Sequence, residues 1–174
     1  MPRRDTRLES EGAEFLVLGE LLIRGIPGYK VYTNTPGYDV VALDPDRDRI
    51  ARISVKSRWT TDATGFIINN FKCDLVVVAK LNRGTKKDPR KVLPPEFFVL
   101  PVEAVKHAPR SKGWNRMTFG SIRNFKSYRD RWDLVRAFLW RSGKQSRRAS
   151  IRRLTIRSKP TRATRLRLSG RGHR

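Results

Sequence analysis

A proline-anchored turn constrains this chain more than any other feature. Asp44-Pro45-Asp46-Arg47 has the Asp and Pro placement of a type I turn, and it joins YDVVALD (38–44) to ARISVKSR (51–58), both of which read as strands. A turn centred between Asp46 and Arg47 sets residues whose numbers sum to about 93 opposite one another, so Asp39 faces Ser54. The period of two then puts Ile53 and Val55 on one side of the second strand, and Arg52, Ser54, Lys56 and Arg58 on the other. Asp39, Ser54 and Lys56 share a face. Such a basic row also suits a plain solvated face, and an aspartate after Pro36-Gly37 a local hydrogen-bond acceptor, so chemistry and simple structure both stay open at this point.

Around this hairpin the pattern predicts a helix over 8–24, with Val17, Leu21, Leu18, Leu22 and Phe15 at helical spacing, Ser10 as N-cap and Gly25-Ile26-Pro27-Gly28 as stop. YKVYTN (29–34), FIIN (66–69), DLVVVAKL (74–81) and EFFVLPV (96–102) read as further strands, and RGTKKDPRKVLPP (83–95) as a basic loop. Ser127–Trp140, with Trp132, Val135, Phe138 and Leu139, closes as a helix. Helix, several strands, then helix, with few crossover helices, implies an α/β or α+β layered domain: a mixed or antiparallel sheet of five or six strands flanked by helices. The longest apolar run, Leu75–Ala79, falls far below the roughly 18 residues of a membrane span.

Charge divides the chain. Lys and Arg number 39 against 16 Asp and Glu, a formal +23. Residues 141–174 hold 13 of the basic residues and no acidic one, which leaves +10 for residues 1–140. With seven apolar residues in 34 and no aromatic, that tail cannot offset the entropy of ordering itself, and it is expected to stay disordered until it meets an anionic partner. The folded domain is thus expected over 1–140. DNA, RNA and an anionic membrane surface all suit the charge. The first residues lack the apolar stretch of a secretory signal, so a cytoplasmic location is expected. One cysteine, Cys73, and two histidines, His107 and His173, are too few for a disulfide framework or a soft-metal site. Any metal would be a hard cation on carboxylates. Cys73 reads as a small buried side chain, and neither histidine has an acidic or thiol partner at recognisable spacing.

Glu14 falls between Leu21 and Leu18 on the helix wheel, inside the apolar arc. A buried carboxylate costs several kcal/mol unless satisfied, so a basic side chain, backbone donors or a metal must meet it, unless it reaches solvent from the first turn.

An inward helix glutamate, an aspartate at a strand start and a strand ending Ser54-Val55-Lys56 together resemble the PD-(D/E)XK, or restriction-endonuclease-like, nuclease superfamily. The resemblance runs from about Gly12 to Trp140, through GAEFLVLGELLIRG, NTPGYDVVAL, ISVKSR, DLVVVAKL and FFVLP, and is strongest to small prokaryotic members with Gln-x-Lys or Glu-x-Lys. It implies a metal-dependent DNA endonuclease. Glu14 corresponds to the first-helix glutamate, Asp39 to the metal-binding aspartate, Ser54 to the position usually acidic or Gln, and Lys56 to the lysine. The family implies Mg²⁺ or Mn²⁺ on Glu14, Asp39 and the Val55 carbonyl, no small-molecule cofactor, and often a homodimer. Ser54 departs from the family pattern, and a second reading follows from it: a weak or inactive nuclease-like module that binds DNA or RNA through its basic face and tail. Arg52, Arg58, Trp59, Lys72, Arg123 and Lys126 are the candidate nucleic-acid contacts. Trp114 and Phe119 read as core aromatics.

Overall fold

A computed structural model describes residues 5–32, 37–85, 87–111 and 113–140; the basic tail over 141–174 and His173 lie outside the described residues. Helix α1 (Thr6–Ile23) is followed by β1 (Gly28–Lys30), β2 (Val40–Asp44), β3 (Arg49–Arg58), β4 (Gly65–Ile67), β5 (Leu75–Lys80), β6 (Glu96–Pro101), α2 (Val102–Lys106), β7 (Arg116–Thr118) and α3 (Asp133–Trp140). Five strands form the main sheet in the order β1-β2-β3-β5-β6, with β3 and β5 parallel and the other neighbours antiparallel. The fold is an α+β layered domain built on a mixed sheet flanked by helices. No described helix is long and apolar enough to cross a membrane.

The β2–β3 register follows from the turn. Val40 pairs with Ile53 and Asp44 with Arg49, while Asp44 accepts the Arg47 amide at 3.2 Å to cap a 3-10 turn over Pro45–Arg47. The parallel β3–β5 pair buries the centre of the sheet on both faces, which is why Leu75–Ala79 is a continuous apolar run. On one face α1 and α3 pack Ala13, Val17, Leu21, Val135 and Leu139 onto Val40, Ala51, Ile53 and Val77. On the other, Val76, Val78, Phe98 and Leu100 meet Phe66, Met117 and Phe125. Leu21 is fully buried in the first cluster, so Leu21→Ala is expected to cost about 3 kcal/mol of stability, read by denaturant unfolding.

Local structure departs from the sequence reading in identifiable ways. The N-cap of α1 is Asp5, five residues before Ser10: it accepts the Arg7 amide at 2.8 Å, and the helix runs from Thr6. Its buried stripe is Glu9, Ala13, Val17 and Leu21, one residue every turn, and Phe15 and Leu22 are exposed rather than inward. The FIIN segment leaves the main sheet. As β4 it pairs with β7 in a separate ribbon, where Gly65 lies so close to Met117 that an added Cβ would sit 2.0 Å from its carbonyl oxygen. The C-terminal helix begins at Asp133, not Ser127: Phe125–Tyr128 form a 3-10 turn, and Asp130 at φ 51° breaks the path.

Candidate active site

Strand β3 outruns β2. Pairing stops at Val40 with Ile53, yet β3 continues to Arg58, so its last residues have no β2 partner. The Asp39 amide donates to the Ile53 carbonyl at 2.9 Å, and the Asp39 carbonyl accepts from Val31 at 2.9 Å, which pins this residue from both sides. Its carboxylate then does what a further β2 residue would do. Oδ2 accepts the Val55 amide at 2.6 Å and the Ser54 hydroxyl at 3.4 Å. Backbone groups two residues apart on a strand point the same way, so the Val55 carbonyl also faces this uncovered edge. Just before Asp39, Gly37 lets the chain pass close to the segment ahead of β5: at φ 110°, an added Cβ would come within 2.8 Å of both Asn70 and Lys72.

From the other layer α1 brings Glu14, and β1 brings Lys30. The Lys30 ammonium lies 2.9 Å from Glu14 Oε2 and 2.8 Å from Glu11 Oε1, and it sits 4.6 Å from the ring centroid of Tyr32. Only 6% of the Lys30 side chain and 17% of Glu14 remain exposed. Burial opposes the charge on Lys30, but its two carboxylate partners outweigh that and hold its pKa above the usual lysine range. For Glu14, burial lifts the carboxyl pKa, Lys30 draws it down and the Asp39 charge lifts it again, leaving it above the ordinary value. Glu14 and Asp39 therefore share one electrostatic field. Sequence reasoning asked for a partner to Glu14; the one it missed is Lys30, whose direction depends on a β1–β2 register that no turn motif announces.

Lys56 stands two residues beyond Ser54 on the same side of β3, half-buried. Ser54 is 2% exposed. Cys73 is buried on this side of the sheet; burial and Asp74 push its thiol pKa up despite Lys56 and Arg52, which suits a protonated packing residue. No cluster of three or more His, Cys, Asp or Glu residues suited to a metal exists among the described residues. The β3 edge itself offers the Asp39 carboxylate and, by strand alternation, the Val55 carbonyl, while Glu14 on α1 is paired with Lys30. Oxygen donors of this kind are the chemistry of a hard divalent cation, which binds through one or two carboxylates and keeps several waters.

The candidate nucleic-acid contacts divide. Arg52 is committed to Asp74 through two 2.9 Å hydrogen bonds, which tie β3 to the start of β5. Trp59 packs against the α1-side core. Arg58 donates to the Gly65 carbonyl, and Lys72 is exposed beside Gly37, so both flank the site. Arg123 and Lys126 are exposed near the other end of the sheet, where Phe125 stacks on Phe98 of β6 at 4.3 Å. Phe119 packs between Phe66 and Phe125, as the sequence suggests. Trp114 does not: it is 77% exposed. His107 bonds locally, with Nδ1–H donating to the Glu103 carbonyl at 2.8 Å.

No protein-family model and no curated protein matches the chain. Among solved structures, a bacterial homing endonuclease, I-Ssp6803I, is similar over 88% of this chain and 99% of its own length, at 16% identity and a TM-score of 0.49.

Proposed function

We propose that this protein is a metal-dependent DNA endonuclease of the PD-(D/E)XK type, hydrolysing phosphodiester bonds at the uncovered edge of β3. The observation that carries the reading is the junction at Asp39. Asp39 is pinned by backbone on both sides and holds the Val55 amide and the Ser54 hydroxyl at the open edge of β3, with Lys56 two residues on along the strand and the Glu14 carboxyl raised by Asp39's charge. Bound there, a magnesium ion would neutralise phosphate charge and lower the pKa of a water. Asp39 and Glu14 would hold the cation together with the Val55 carbonyl, Asp39 while keeping the Val55 amide and Glu14 while keeping its pair with Lys30. Lys56 orients the attacking water and meets charge developing on the phosphate. Lys72 and Arg58 hold the flanking backbone as cations.

Ser54 favours the second reading, a nucleic-acid-binding module without cleavage, because its hydroxyl brings no charge to the edge. One unit charge about 4 Å from another is worth up to about 4 kcal/mol at an effective dielectric of 20, and more for a divalent ion. Even after desolvation, Ser54→Glu is expected to lower the half-saturating Mg²⁺ concentration by about tenfold or more, read from plasmid nicking against metal concentration. Unchanged half-saturation in a folded variant would place residue 54 outside the cation's reach. The parent itself is tested by nicking of supercoiled DNA with Mg²⁺ or Mn²⁺ against EDTA. Metal-independent activity, or none, would refute the endonuclease reading.

A further inference from the structure

Beside Arg58, one pleat repeat or about 6.6 Å along β3 from Lys56, a groove of about 850 Å³ opens between β3 and the β4–β7 ribbon. Its walls include Arg58, Thr64, Ser111, Trp114 and Arg116, with Asp62 the acidic member, itself engaged in an interaction. Trp114 is presented outward by the backbone: Gly113 at φ 88° and Asn115 at φ 48° flank it, and the Ser111 amide closes the loop on the Arg116 carbonyl at 2.9 Å. Asn115 anchors the loop to Asn69 at 3.0 Å. Arg116 donates to the Thr64 hydroxyl at 3.0 Å, and its charge is felt by Arg58, so two guanidiniums converge on one groove. Two like cations beside an exposed indole suit an anion joined to a flat ring.

We propose that this groove is a nucleotide subsite in which an unpaired base of DNA stacks on Trp114 while Arg116 and Arg58 take the adjoining phosphate. It rests on the nucleic-acid substrate of the reading above and assigns the unstacked strand a place next to the cleavage edge. The groove is large enough to admit a nucleotide, and a base and an indole stack whatever the base.

The test uses the full chain in EDTA, so that binding is read without cleavage. The probe is a short single-stranded oligonucleotide carrying 2-aminopurine, beside the same oligonucleotide with an abasic position and its duplex. Trp114→Ala is expected to weaken single-strand binding by roughly 5- to 150-fold and to remove the 2-aminopurine quenching, with Trp114→Phe restoring most of both. Arg116→Ala is expected to reduce the slope of log affinity against log salt by about 0.7. Trp114→Ala and the abasic substitution should not add. Single-strand affinity unchanged by Trp114→Ala, equal loss on the abasic strand, or a shift of sedimentation showing that Trp114 joins two copies would each overturn the subsite. If the parent binds and quenches without ever nicking DNA, the subsite stands and the endonuclease reading falls.

Discussion

Asp39→Asn is expected to abolish metal-dependent nicking, by at least about 10³-fold, while leaving the protein folded and able to bind DNA. The amide oxygen of asparagine keeps an acceptor for the Val55 amide, which Asp39 Oδ2 holds at 2.6 Å, so the edge of β3 retains its geometry. What disappears is charge. With Ser54 neutral, the site then keeps one carboxylate, Glu14, already engaged with Lys30. Asp39→Ala is the harsher variant. It orphans the Val55 amide as well, and an unsatisfied buried donor costs about 1 to 3 kcal/mol, so loss of activity there comes with loss of stability. The pair of variants separates charge from scaffold.

Lys30→Met carries the second large effect, and it falls on stability. The ammonium is nearly enclosed, paired with both Glu11 and Glu14 and laid over Tyr32. Methionine keeps the stem and removes the charge, which leaves the half-buried Glu14 carboxylate without its cation. Breaking a buried pair costs about 3 to 5 kcal/mol; Glu11 is half exposed and screened, so about 2 to 3 kcal/mol is expected here. The pH dependence has a definite sign. In the variant the folded-state pKa of Glu14 rises further above its unfolded value, so the folded form gains protonation and is favoured at low pH. The deficit is therefore small near pH 4, grows as pH rises past the unfolded carboxylate value and levels off above the raised folded value. In the parent, Lys30's own contribution is complete at neutral pH and disappears only in strong base, since its pKa is raised. Urea unfolding of parent and variant at pH 4 and pH 7 checks both; an equal deficit at the two values would show that Glu14 does not depend on Lys30.

The hairpin was legible because a turn, unlike a helix face, fixes partners residue by residue. Asp44, Pro45 and the alternating strands put Asp39 opposite Ser54 in the sequence, and the observed pairs Val40 with Ile53 and Val41 with Arg52 carry the same register. The unbroken apolar run of β5 and the presence of α1 were legible as well, but the inward face of α1 was only partly so, since Phe15 and Leu22 are exposed and Ala13, Val17 and Leu21 carry the core. Strand β7 was not, since Arg116–Thr118 places a single buried residue, Met117, between two exposed ones and pairs with a segment some fifty residues earlier. Loss of that pairing from view also misplaced β4 and hid the groove. Trp114 looked like core because tryptophan is highly buried on average; its exposure is decided by positive φ at Gly113 and Asn115, a backbone property its neighbours only hint at. At the site, Glu14 was seen to need a partner, but naming Lys30 required β1 to be in place. Arg52 read as a free basic contact because Asp74, which neutralises it, lies 22 residues away on a parallel neighbour.

The endonuclease proposed above depends on Asp39 and Lys56, at the uncovered edge of β3, acting with a divalent cation on DNA. The most direct measurement is nicking of supercoiled plasmid by the full chain in Mg²⁺, beside Asp39→Asn and Lys56→Ala, each first shown to be folded and to bind DNA with parent-like salt dependence. Nicking by the parent that EDTA stops and both substitutions remove is the predicted result. Nicking that survives either substitution, or DNA binding with no nicking in any divalent metal, would contradict it.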